Sequence, residues 1–208
     1  MVMKISYATN FAMRYLGALC CLLIFIPLEA EAFLITNGDF ELGDLSGWTV
    51  FETPNGSLGG EGFPRCVDFD ITGHGLVSKS AVFKVGQQQY QAEGPSLAGG
   101  GIYATLQLDG GRIVLAADIA SSYFSPNDRR NLAGGLFELL VDGEVIASHD
   151  FGPIPTATTQ HERLEGTAYI SAGMHEVRIR IQRPFRSLSP DQAPQQYLDN
   201  IQLNLFPH

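Results

Sequence analysis

The sequence predicts an all-β fold, a sandwich or barrel, on three observations. Short alternating or apolar runs recur after residue 32, clusters of Gly, Pro, Asn and Asp separate them, and no long stretch repeats with helical periodicity. The clearest run is "HEVRIRIQR", residues 175–183. Val177, Ile179 and Ile181 point one way, while Arg178, Arg180 and Gln182 point the other. One face is core and the other is wet or binding.

The remaining elements follow in the same terms. In "LFELLVDGEVIASHDF" the pair Asp142-Gly143 separates two β-prone runs, which predicts a hairpin over residues 135–150 because a tight turn needs residues that tolerate positive φ. "GGGIYATLQLDGGRIVLAADIASS" repeats that arrangement, and predicts a second hairpin of residues 102–108 and 112–121 across Asp109-Gly110-Gly111. Further strands are expected at 49–51, as a last pair at 162–170 and 175–183 around Ser171-Ala172-Gly173, and, in "QQYLDNIQLNLF", at 195–206. Residues 53–66 and 184–194 are rich in Gly, Pro and Ser, but each lies between strands of similar composition, so they read as loops inside one domain spanning 33–208.

Residues 1–32 read as a secretory signal peptide. Lys4 and Arg14 give a positive start, "YLGALCCLLIFIP" is a short apolar run, and Ala30-Glu31-Ala32 is a small-residue cleavage signal. The run is shorter than the roughly 20 apolar residues of a membrane span. The expected location is therefore outside the cytoplasm, secreted or periplasmic, with no membrane attachment after cleavage. Cys20 and Cys21 leave with the leader, so Cys66 remains without an intramolecular partner and reads as a small buried hydrophobe.

The leader carries two basic and two acidic residues, so the formal net charge of −9 belongs to the mature part. That balance argues against nucleic acid, whose phosphates are bound by clustered Lys and Arg. It is compatible with neutral sugars or a divalent cation.

The order of the motifs carries a resemblance. "NGDFE" followed by "GW", a central "GGGIYATLQLDGG", "FELLVDGEVI", "AGMHEVRIRI" and a closing "YLDNIQL" resemble the galactose-binding-domain-like proteins, closest in pattern to carbohydrate-binding modules of the family-four and family-nine type. The resemblance implies a jelly-roll β-sandwich of two antiparallel sheets and a glycan or polysaccharide partner. It also implies a structural calcium ion held between the N-terminal acidic segment and the closing strand. Carried over by motif, Glu41 and Asp199 are the expected ligands, with Asp39, Asp68 or Asp70 in addition. The alternative is that Asn37-Gly38-Asp39 is only a turn and Asp199 caps a backbone group. Trp48 packs into the sandwich in the resembled modules, and core is the expectation here.

A sugar site needs an aromatic surface and planar polar groups. The connector 123–134 supplies Tyr123, Phe124, Asn127, Arg129, Arg130 and Asn131. Residues 87–90 ("QQQY"), Tyr103 and Gln107 form a second group. Arg178 and Arg180, followed by Arg183 and Arg186, form a basic stripe suited to uronic-acid or sulfated polymers; an ordinary solvated surface is the alternative for each group.

Catalysis finds little support. There is no GxSxG elbow, no phosphate loop and no HExxH run, and His149, His161 and His175 fall at turns or strand ends, as surface histidines do. The expectation is a binding protein rather than an enzyme, with an extracellular adhesion or structural role as the alternative and two carboxylates meeting in space as the route to a hydrolase.

Overall fold

A computed structural model describes residues 31–32, 35–89, 97–124, 131–184, 186 and 193–207. The elements in chain order are β1 (Glu31–Ala32), β2 (Thr49–Glu52), β3 (Gly56–Ser57), β4 (Arg65–Phe69), β5 (Ser78–Phe83), β6 (Gly86–Gln87) and β7 (Ala98–Leu108). They continue with β8 (Gly111–Tyr123), β9 (Leu136–Val141), β10 (Glu144–Asp150), β11 (Thr158–Ile170), β12 (Gly173–Arg183) and β13 (Gln195–Pro207). No helix occurs among the described residues.

The strands form a jelly-roll sandwich of antiparallel sheets. One sheet runs β10-β9-β12-β7-β2, and the other runs β11-β8-β13-β5-β4 with β1 added beside β13; a short β3-β6 pair stands apart. Core residues alternate along the strands as the pattern requires: Phe137, Leu139 and Val141 on β9, Val177, Ile179 and Ile181 on β12, and Ile113, Leu115 and Ala117 on β8 face one another between the sheets. Burying each such large side chain contributes about 1.5–3 kcal/mol.

The hairpin at 135–150 forms as expected, with Asp142 and Gly143 both at positive φ. The second expected hairpin does not. β7 pairs with β12 and β2, while β8 pairs with β11 and β13, so residues 109–110 carry the chain from one sheet to the other. The same turn residues serve an arch as well as a hairpin. The expected pair at 162–170 and 175–183 is divided in the same way, with β11 in one sheet and β12 in the other. β8 has thirteen residues, nearly all of them out of water, which suits a central strand. Part of its outer face is covered by the β4 segment, where Phe69 stacks on Tyr197 with ring centres 3.7 Å apart and Ile71, Val82 and Ala120 close a second small core.

The "NGDFELGDLSGW" stretch builds a corner. Asn37 stands at φ 54° and its amide donates to the carbonyls of Asp44 (3.0 Å) and Ser46 (3.1 Å). A Cβ on Gly38 would lie 2.2 Å from the Ile201 carbonyl oxygen, so only glycine lets this corner seat on β13. Phe40 is fully buried, and Trp48, at 8% exposure, packs beside it and donates its indole N–H to the Asn37 carbonyl at 3.1 Å. Trp48 is core, as expected.

Candidate functional site

The outer face of the five-stranded sheet is set by register. Directly opposed residues share a face, so Thr49, Tyr103, Arg178 and Leu140 form one row across β2, β7, β12 and β9, and Phe51, Gly101, Arg180 and Glu138 form the next. The Arg178 guanidinium lies over two rings, 4.3 Å from the Phe51 centroid and 5.2 Å from that of Tyr103. These two rings are 6.2 Å apart. Cation–π attraction holds the group together as an amphipathic patch, its two rings inclined at 60° to each other. The buried Arg178 Nε has no hydrogen-bond acceptor among the described residues.

The charges of this face are paired. Arg178 donates to Glu176 at 2.9–3.0 Å, and Arg180 donates through Nε to Glu138 at 2.6 Å. The expected basic stripe is therefore corrected: two of its arginines are neutralised in place, and Arg183 is not on the surface at all. Arg183 is 0% exposed and donates to the backbone carbonyls of Val85, Ala133 and Asn131 and to the Asn131 side chain. Strand alternation puts residue 183 on the inward face with Val177, Ile179 and Ile181, and counting Arg183 with the outward arginines overlooked that; the carbonyls of the neighbouring segments satisfy its guanidinium there.

One row further along, Gln182 and Leu136 lead into a hollow of about 350 Å³. Leu132, Pro153 and Pro184 give it apolar walls, and Asp150 and Gln182 give it polar groups. Between this hollow and the aromatic patch, Gly99 and Gly101 put no side chain on the face. The result is a shallow track from rings to hollow.

The connector expectation divides. Tyr123 is corrected: at 1% exposure it belongs to the core and offers no face to a ligand. Phe124 is well exposed and Asn131 is half-buried, turned to Arg183 and to the Arg186 carbonyl. Asn127, Arg129 and Arg130 lie outside the described residues. From the second expected group, Tyr103 joins the aromatic patch and Gln107 is exposed further along β7, whereas Gln87 is buried. Phe51 was missed, because a lone aromatic in a short strand gives no sign of which strand it will face.

Of the acidic residues expected to hold calcium, only Glu41 and Asp199 come to the same place. Glu41 Oε1 accepts the Lys79 N–H at 2.9 Å, and Asp199 Oδ2 accepts the neighbouring Ser78 hydroxyl at 2.5 Å and that of Ser80 at 3.2 Å, so both carboxylates approach the start of β5. Asp199 is fully buried with no basic side chain among its described partners. Burial pushes its carboxyl up to about 6, with the facing Asp118 adding to the shift and the Ser78, Asn200 and Ser80 hydrogen bonds opposing it. A buried carboxylate of this kind fits a hard cation. Asp39 instead accepts the Glu41 N–H and lines a separate hollow with Asn200 and Gln202. Asp68 pairs with Lys79, and Asp70 collects the N–H groups of Gly73, His74 and Gly75. Among the described residues no three His, Cys, Asp or Glu side chains converge as a metal cluster, so backbone oxygens would have to complete any site.

His175, expected on the surface, is buried between Asp142 Oδ2 (2.6 Å) and the Ser171 carbonyl (2.8 Å), where it ties two turns together. It presents no free nitrogen for catalysis.

No family model and no curated protein sequence matches the chain. Solved structures do match in fold. The module TmCBM61, in complex with β-1,4-galactotriose, shares 12% identity at a TM-score of 0.50, over 82% of this chain and 96% of that one. The CBM22-1 xylan-binding domain of Paenibacillus barcinonensis Xyn10C shares 11% at 0.43, over 82% and 93%. The Stig cyclase Fisc from Fischerella sp. TAU shares 16% at 0.44, over 86% and 98%. The jelly roll is thus one that TmCBM61 also adopts, and a likeness at 12% identity concerns the fold alone.

Proposed function

We propose that the protein is a non-catalytic carbohydrate-binding protein acting outside the cytoplasm, and that its ligand is a neutral glycan lying along the outer face of the five-stranded sheet. The observation that carries this is the Phe51–Tyr103–Arg178 patch leading into the hollow. The aromatic surface takes the apolar face of a sugar, and the fixed planar groups of Glu176, Glu138 and Gln182 take its hydroxyls. The pairing of both arginines argues for a neutral polymer rather than an acidic one, because a uronate would have to displace a glutamate.

Glu41 and Asp199 would hold a structural calcium ion, which would supply the positive charge that the buried Asp199 lacks and fasten the opening corner to β5.

Affinity gels cast with xylan, β-1,4-galactan, β-glucan or polygalacturonate test the reading. Retention by at least one neutral polymer is expected, and Tyr103→Ala should weaken it about tenfold by losing one stacking ring. Retention by polygalacturonate alone would overturn the neutral ligand. No retention of the folded protein in any gel would favour an adhesion or structural role.

A further inference from the structure

The six-stranded sheet carries an aromatic row of its own. Tyr169 on β11, Arg112 on β8 and Phe206 on β13 are direct cross-strand partners, and their side chains lie on the outer face, opposite the Ile113, Leu115 and Leu203 that fill the core. The Arg112 guanidinium lies over the Phe206 ring, 4.1 Å from its centroid, and Tyr169 is 74% exposed. This parallels the other sheet, where an arginine also lies over aromatic rings, on the opposite side of the molecule.

The β4 segment covers only the far part of this face. From Arg112 to Asp118 the outer side of β8 is flanked by Thr167 and the exposed carboxylate of Glu165 on β11 and by Asn204 and Gln202 on β13, with Val114 and Ala116 keeping the middle low. The strip is about 20 Å long along the strands and about 10 Å wide across three of them. At its far end Arg163 is already paired with Asp118 at 2.7 Å and bonded to Gln202 at 3.0 Å, so this charge too is compensated. The strip is not a broad apolar patch: it sets rings among amide, hydroxyl and carboxylate groups, the donors and acceptors that sugar hydroxyls use.

We propose that this strip is a second glycan-binding platform, which makes the protein bivalent with one binding face on each sheet. The inference rests on the carbohydrate reading of the first face. A platform here takes an extended, neutral oligosaccharide segment by ring stacking on Tyr169 and hydrogen bonds to Asn204 and Gln202. Two faces pointing away from each other cannot grip one short segment together. They cross-link two chains.

The test uses the full mature protein in affinity gels of the four polysaccharides above, and turbidity of the same polymers in solution. Tyr169→Ala and Tyr103→Ala are each compared with wild type and combined; Tyr169→Phe keeps the ring, and circular dichroism melting confirms folding. Each single variant should lose its own face, with affinity there falling about tenfold, and the double variant should lose retention. Wild type should cross-link polymer into turbid aggregates and neither single variant should. Wild-type retention and turbidity in Tyr169→Ala, with loss in Tyr103→Ala, would overturn the second platform and leave the first intact. Absence of retention for wild type in every gel would overturn both.

Discussion

Two buried basic residues set the terms at the scale of single side chains. Arg183 spends its N–H groups on three carbonyls and one amide, and burial lowers it to about 9. Only a planar fork reaches all of them. Arg183→Lys should therefore cost about 1–3 kcal/mol, read from the urea midpoint, by stranding carbonyls that were satisfied. His175 has both ring nitrogens on acceptors, which requires the imidazolium. The Asp142 hydrogen bond raises its pKa against the opposing effect of burial, with the Ser171 carbonyl adding to it, and burial of Asp142 is outweighed by the His175 and Glu176 hydrogen bonds that hold its carboxyl low. A raised histidine stabilises fully below its unfolded value of about 6.5 and loses that contribution as pH rises through the folded value. The lowered Asp142 contributes above the ordinary carboxylate range and fails only in stronger acid. Unfolding free energy should thus fall as pH climbs from about 6.5 through the raised folded value, and the fall should be smaller in His175→Gln. An identical pH profile for the variant would show that the pair is not the cause.

At the scale of elements, the glycines of β7 decide how closely strands approach. A Cβ on Gly101 would stand 2.0 Å from the Ile179 carbonyl oxygen, and one on Gly100 would stand 2.1 Å from that of Phe51. Both neighbours are backbone and cannot swing aside. Gly101→Ala should cost about 1–3 kcal/mol, the range for forced overpacking, and lower the melting temperature accordingly. The strands themselves were legible from alternation: residues 175–183 and 195–206 stand almost where the pattern places them. The pairing was not. "LDGG" and "VDGE" look alike, yet one turn closes a hairpin and the other carries the chain across the sandwich, a choice made by which sheet has room for a buried thirteen-residue strand. Alternation also placed Arg178 and Arg180 outward without showing that Glu176 and Glu138 neutralise them. Phe51, Tyr103 and Arg178 come from three strands, and their meeting is a property of register.

For the molecule as a whole, the net charge of −9 and the buried Asp199 both favour a bound cation. Calcium at about a hundred times its Kd should stabilise the native state by about 2.7 kcal/mol, seen as a rise in Tm reversed by chelator. Glu41→Gln and Asp199→Asn should each abolish that rise, and an undiminished rise in both would place the ion elsewhere. The first and last strands have a further consequence. Glu31 pairs with Leu205 and Ala32 with Asn204 in antiparallel register, and both residues belong to the leader that cleavage at the Ala30-Glu31-Ala32 signal would remove, so processing would take β1 away and bare that side of β13. If the protein cross-links polymer chains through its two broad faces, tension reaches it across the sandwich, through side chains rooted in the core, and the bared edge never carries the load.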